Sequence, residues 1–169
     1  MPITAIGLGS NLGNRLLNLR TALRLLTEAL PCSGQSRLIR TSDVFETEPW
    51  GVLDQPYFLN ACLIIENLSP LYTGKDLLAR VKEIESEMGR TVTRRWGERN
   101  IDIDILFMDS IIYSSPDLRI PHVEIHRRSF VLIPLMQIAP SWIHPLTKRT
   151  VSEMASDFPG PAPTRICSL

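Results

Sequence analysis

Asn100-Ile101-Asp102-Ile103-Asp104-Ile105-Leu106-Phe107 decides the fold. Ile101, Ile103 and Ile105 point one way and Asp102 and Asp104 the other, the period of a strand with one face in a core. At a rise of about 3.3 Å per residue, the two carboxylates start about 6.6 Å apart on one face. An Asp-x-Asp of this kind is often no more than a solvated outer face. Asp is a poor strand former, however, so two in one apolar strand ask for a compensating partner. Arg90, Arg94, Arg95 and Arg99 lie immediately upstream. Two bare carboxylates this close resist ionising together, and arginines or divalent cations relieve that repulsion. Metal pairs in phosphoryl-transfer sites sit about 3.5–4 Å apart, a separation these side chains can converge on. Acids on a rigid strand with cations on a loop point to a metal–polyphosphate site.

The rest of the chain bounds that reading. With 169 residues, 44% hydrophobic and 21% charged, it has the make-up of one globular domain with a real core. We read 1–158 as that domain and 159–169, rich in proline and without a pattern, as a loose tail. The net charge is zero, which argues against a dedicated nucleic-acid binder. Cys32, Cys62 and Cys167 are odd in number and lack metal-ligand spacing, so no disulfide framework is expected. Neither a leader nor an apolar run of membrane-spanning length is visible, and a cytoplasmic monomer is the expectation.

Ile3–Leu8 reads as a first strand running into Gly7-Leu8-Gly9-Ser10-Asn11-Leu12-Gly13. This is neither a P-loop nor a dinucleotide-binding turn. A strand-to-helix turn with Ser10 or Asn11 near the cap and a ligand-contacting loop both suit it. Leu16, Leu19, Leu23, Leu26 and Leu30 make the apolar stripe of a helix. Arg37–Glu46 reads as a strand and 47–56 as a loop carrying Trp50. Tyr57–Glu66 reads as a strand with Phe58, Asn60 and Cys62 on one face, and Asn60 there must find hydrogen bonds. Leu77, Val81, Ile84 and Met88 mark a second helix, with Thr73 a possible cap and Gly89 its stop. Glu85 and Glu87 oppose the dipole near its end, which favours an arginine or metal partner. Short strands are expected at 111–113 and 118–120, an apolar helix over 130–138 and a last helix over 151–157. His122 and His126 are four apart, but Pro121 and the missing Glu partner argue against zinc.

Four segments in order and spacing carry a family resemblance. They are Gly9-Ser10-Asn11-Leu12, Asp54-Gln55-Pro56 through Asn60-Ala61, Arg95-Trp96-Gly97 through Asp102-Ile103-Asp104, and Pro121-His122 with Arg128 and Phe130. Over about 6–140 the chain resembles the 6-hydroxymethyl-7,8-dihydropterin pyrophosphokinases of folate biosynthesis. The resemblance implies an α+β, ferredoxin-like sandwich with a mainly antiparallel sheet flanked by helices. It implies transfer of the pyrophosphoryl group of ATP, the co-substrate, to the hydroxymethyl oxygen of the pterin, with release of AMP. Asp102 and Asp104 would hold two Mg2+ ions.

Carried over residue by residue, Phe58 and Phe130 would sandwich the pterin and Asn60 would bond its edge. Thr47 and Trp50 would add loop contacts, and Asp102 would also orient the hydroxymethyl group. Arg90 and Arg99 would act on the phosphates. Arg95, His122 and Arg128 would grip ATP, Trp96 would help seal the site, Ile105 would line the adenine pocket, and Glu85 matches an acid near the arginine loop. The chain departs from the pattern at Phe58, often Tyr in the family, at Lys82 and Val123, and in an arginine segment that is shorter than in some members and has Val92 in place of an arginine. Two other readings compete. A metal-dependent phosphohydrolase would use the same acids but needs a base beside them. A ferredoxin-like RNA-binding module would want a basic sheet face, which paired acids oppose.

Overall fold

The computed structural model describes residues 3–31, 39–49, 51–66, 68–90, 97–158 and 162–169. Among them, six strands form one antiparallel sheet. β1 (Ile3–Ser10) lies at its centre between β4 (Phe58–Glu66) and β5 (Asp102–Met108), with β3 (Asp43–Thr47) and β8 (Thr164–Ser168) continuing past β4 and β2 (Ile39–Thr41) also pairing with β4. Two helices, α1 (Arg15–Ala29) and α2 (Gly74–Glu87), supply the crossovers. This is the antiparallel α+β arrangement expected from the sequence.

Alternation on the central strands splits the apolar residues between two cores. On one face Leu59, Ala61, Leu63, Ile103 and Ile105 meet Leu19, Ala22 and Leu26 of α1 and Leu77, Val81 and Ile84 of α2. On the other, Cys62, Ile64, Leu106 and Phe107 meet α3 (Ser129–Ile138) and α4 (Val151–Ser156). The strict alternation expected through Phe107 breaks at Leu106. The pairing of β5 with β1 shifts there, a bulge that turns both Leu106 and Phe107 toward the second core. Phe107 then stacks on Trp142 with centroids 3.8 Å apart.

Local chemistry sets the ends. Asn14, rather than Ser10 or Asn11, caps α1, its side chain accepting from the Leu17 N–H. Thr73 and Asp76 form a reciprocal capping box on α2. The strand expected over 37–46 is two strands, broken at Ser42. Its hydroxyl accepts from the Cys62 N–H in place of a regular ladder bond. The strand expected at 111–113 is instead β6 (Tyr113–Ser114), paired with β7 (Arg119–Ile120). The tail reading does not describe Thr164–Ser168. Asp43 accepts from Arg165 and Ser168 and so clasps this segment to β3 as an edge strand. Among the described residues no helix is long and apolar enough to cross a membrane.

Candidate active site

The acidic face of β5 looks into a pocket of about 700 Å³ that includes its open mouth. Its floor is strand: Gly7 and Gly9 of β1, Phe58, Asn60 and Cys62 of β4, and Asp102 and Asp104 of β5. Thr47, Gln55, Arg99, Arg128 and Phe130 form the walls. Neighbouring strands in register bring these residues together, with Gly9 opposite both Asn60 and Asp102. A side chain there would crowd Asn60. A Cβ at Gly9 would sit 3.1 Å from Asn60 Oδ1, 3.7 Å from the Phe58 ring and 3.9 Å from Asp102 Cβ. Asn60 Nδ2 donates to Thr47 Oγ1 at 2.7 Å, which fixes the amide and leaves Oδ1 on the Gly9 side.

Arginines converge on the acids. Asp102 pairs with Arg90 and with Arg99, each at 2.9 Å, and Asp104 with Arg128 at 3.6 Å. Burial and then the adjacent Asp102 charge push the Asp104 carboxyl well above the usual range, against the pull of Arg128. Glu85, buried at the end of α2, accepts from the Ile103 N–H at 2.9 Å and pairs with Arg90 and Lys82. It thus binds the outer edge of β5 to the helix that precedes the arginines. Gly89, at φ 75°, turns the chain so that the Arg90 N–H returns to Glu85 O.

On the far side of Asp104 a second cavity, about 850 Å³ to its open mouth, is lined by Lys82, Ile105, Arg119 and His122. The His122 N–H donates to Leu106 O, holding this segment on the β5 edge. Burial, then Arg128, lowers the His122 pKa to about 4. Its Nδ1 accepts from the Glu124 N–H, which puts the imidazole proton on Nε2. Asp104 lines both cavities, so a ligand spanning them would pass over the paired acids.

The structure therefore brings Thr47, Phe58, Asn60, Arg99, Asp102, Asp104, Arg128 and Phe130 around one pocket, with Arg90 and Glu85 beside Asp102 and Ile105 and His122 around the next. Trp50, Arg95 and Trp96 lie outside the described residues. Gln55, in the sequence only one member of the Asp54-Gln55-Pro56 motif, lines the pocket, and Asn11 holds it there. Its partner is 44 residues away, and no local pattern announces such a contact.

Comparison with known proteins bears on this site. Residues 5–140 match the family model described as 7,8-dihydro-6-hydroxymethylpterin-pyrophosphokinase, or HPPK. A Haemophilus influenzae protein named 2-amino-4-hydroxy-6-hydroxymethyldihydropteridine pyrophosphokinase is 39% identical over 158 residues, covering 92% of this chain and 93% of its own. A protein of the same name from Aquifex aeolicus is 34% identical over 90% of each chain. The Schizosaccharomyces pombe folic acid synthesis protein fol1 is 37% identical, but the match covers only 20% of its length. Among solved structures, Plasmodium falciparum HPPK-DHPS superposes with a TM-score of 0.70 at 18% identity. That match covers 92% of this chain and 42% of the Plasmodium chain, and at such identity it speaks for the fold.

Proposed function

The chain belongs to the 7,8-dihydro-6-hydroxymethylpterin-pyrophosphokinase family, and we propose that it transfers pyrophosphate from ATP to the hydroxymethyl group of 6-hydroxymethyl-7,8-dihydropterin, releasing AMP, in folate biosynthesis. The observation that carries this reading is the pair Asp102 and Asp104 on the floor of an aromatic-walled pocket, with Asp104 also lining the neighbouring cavity that holds Lys82, Arg119 and His122. The planar pterin enters between Phe58 and Phe130. Asn60, its Nδ2 engaged by Thr47, offers Oδ1 to the N–H groups of the heterocycle edge. The triphosphate lies across Asp104 toward His122 and Arg128, and the adenine reaches the side lined by Ile105.

The hydroxymethyl oxygen attacks the β phosphorus, the α–β bridging P–O bond breaks, AMP leaves with that electron pair, and the hydroxyl proton passes to solvent. The protein contributes positioning and electrostatics and needs no covalent intermediate. Arg90 and Arg99 rest on Asp102 and are poised to transfer to phosphate oxygens. Magnesium suits the site: Asp102 and Asp104 present hard carboxylate oxygens at a pocket surface, and guanidinium groups stand against them. These two residues would hold two such ions, which neutralise charge on the polyphosphate. His122, neutral with its proton on Nε2, would donate one hydrogen bond to a phosphate, and Arg128 would supply charge.

ATP turnover in magnesium, followed as AMP by chromatography with and without the reduced hydroxymethyl pterin, tests the reading. We expect AMP and a diphosphorylated pterin in equal amounts, formed only when both substrates are present. ADP or free phosphate produced without pterin would instead identify a hydrolase and overturn it.

A further inference from the structure

We infer that Asn11 is a positioning residue that couples occupancy of the pterin pocket to the placement of Arg99 beside Asp102. Asn11 is 2% exposed, at the mouth of the turn after β1, and faces two loops at once. Its Nδ2 donates to Gln55 Oε1 at 3.0 Å and to Pro56 O at 3.1 Å. Its Oδ1 accepts from the Arg99 N–H at 2.8 Å, and its own N–H donates to Arg99 O at 3.1 Å. One side chain thus pins the loop ahead of Phe58 and the main chain of the arginine that reaches Asp102.

Both ends of the clamp touch the site. Gln55 lines the pocket and ties its own loop by donating to Val52 O at 2.7 Å. Arg99 lines the same pocket, its Nε donates to Gly97 O, and its Nη1 meets Asp102 at 2.9 Å. The turn carrying Asn11 is itself rigid, since Asn18 bonds Ser10 Oγ and Leu12 O from the first turns of α1. A shift of the Gln55 loop when a ring enters beside Phe58 therefore reaches Arg99 through a single fixed amide. An asparagine suits this place because two donor bonds and one acceptor are used, and a hydroxyl side chain has only one hydrogen to donate. Asn11 touches neither acid, so its effect on the chemistry runs through Arg99.

This inference rests on the pyrophosphokinase reading, and its test separates the two. The readout is the ratio of pterin dissociation constants without and with a magnesium-loaded ATP analogue whose α–β bridge is a methylene and cannot be cleaved. Coupling of this kind is commonly about 5–150-fold, and we expect a factor in that range for the wild type. Asn11→Asp keeps the shape but turns oxygen lone pairs on Gln55 Oε1 and Pro56 O. We expect the factor to fall at least fivefold, toward unity. A residue that merely held the fold would weaken both ligands and leave the ratio unchanged. Gln55→Ala removes one of the two loop acceptors, leaving Pro56 O, and serves if Asn11→Asp does not fold; a smaller fall in the same direction is expected. An unchanged factor in the folded variant, or no coupling in wild type that binds both ligands, overturns the inference. Wild type that forms no pterin-dependent AMP overturns the functional reading instead.

Discussion

The two edges of the sheet each carry an acid–arginine cluster, and they do different work. At the β8 edge, a half-buried Asp43 takes two bonds from an exposed Arg165, one from Gln137 and one from Ser168. At the β5 edge, Asp102, Asp104 and Glu85 meet Arg90, Arg99 and Arg128 around a pocket, with Glu85 only 3% exposed. The outer cluster closes on itself and holds a short strand that is too polar to hold itself. The inner one leaves acids spaced along one strand face, so their carboxyl oxygens are available to a ligand. Like residues make a clasp or a site according to what the carboxylates face.

Removing the inner acids should have the largest effect. Asp102→Ala or Asp104→Ala should lower kcat/KM by about a thousandfold, the scale of a lost electrostatic stabiliser, with the fold retained by circular dichroism. A loss under tenfold in either would return the pair to the status of a solvated face. Glu85→Gln should come next. The amide oxygen still accepts from the Ile103 N–H, but Arg90 and Lys82 lose their anion. We expect a stability loss of about 2 kcal/mol, or about 4–8 °C in Tm, together with a fall in kcat. Thermal melts and kinetics on one preparation check both.

How much of this was legible follows from distance along the chain. The acids on β5 and Asn60 on β4 were readable because alternation is a local property and polar residues violate it visibly. Asn14 was missed as the cap because Ser10, Asn11 and Asn14 are all good capping residues, and only Gly13, at φ 65°, places the turn. The break at Ser42 and the bulge at Leu106 depend on what the neighbouring strand offers. The Arg99 N–H that Asn11 receives lies 88 residues on, and the Arg165 that holds β8 lies 122 residues from Asp43. Thr164–Ser168 lacks the alternation of a half-buried strand, so only its partner makes it one.

His122 sharpens the inner edge further. Burial and Arg128 lower its pKa to about 4, so it stays neutral where an ordinary histidine is charged. Between pH 6.5 and about 4 the unfolded chain binds the extra proton, so this group's share of stability is whole above pH 6.5 and lost as pH falls toward 4. The imidazole resonance of His122, assigned by loss in His122→Gln, should show no midpoint above pH 5. A midpoint near 6.5 would mean that this side of the site is open to water.

The smallest effect belongs to the outer edge. Its arginine, amide and hydroxyl partners, the Arg165 hydrogen bond foremost, hold the Asp43 carboxyl down at about 2 from 3.8. A depressed carboxyl stabilises the fold above its unfolded pKa, and that share is lost as pH falls through the folded value. Asp43→Asn should therefore leave kcat unchanged and lower stability by less than Glu85→Gln does. The gap between wild type and variant, read by urea unfolding, should be constant from pH 7 to 5 and close from about pH 4 toward pH 2. High salt should narrow it too, because exposed charges are screened. If Asp43→Asn instead lowered kcat as much as Glu85→Gln, the outer clasp would have to reach the pocket through β3, where Thr47 pairs with Phe58, and the two edges would act as one unit.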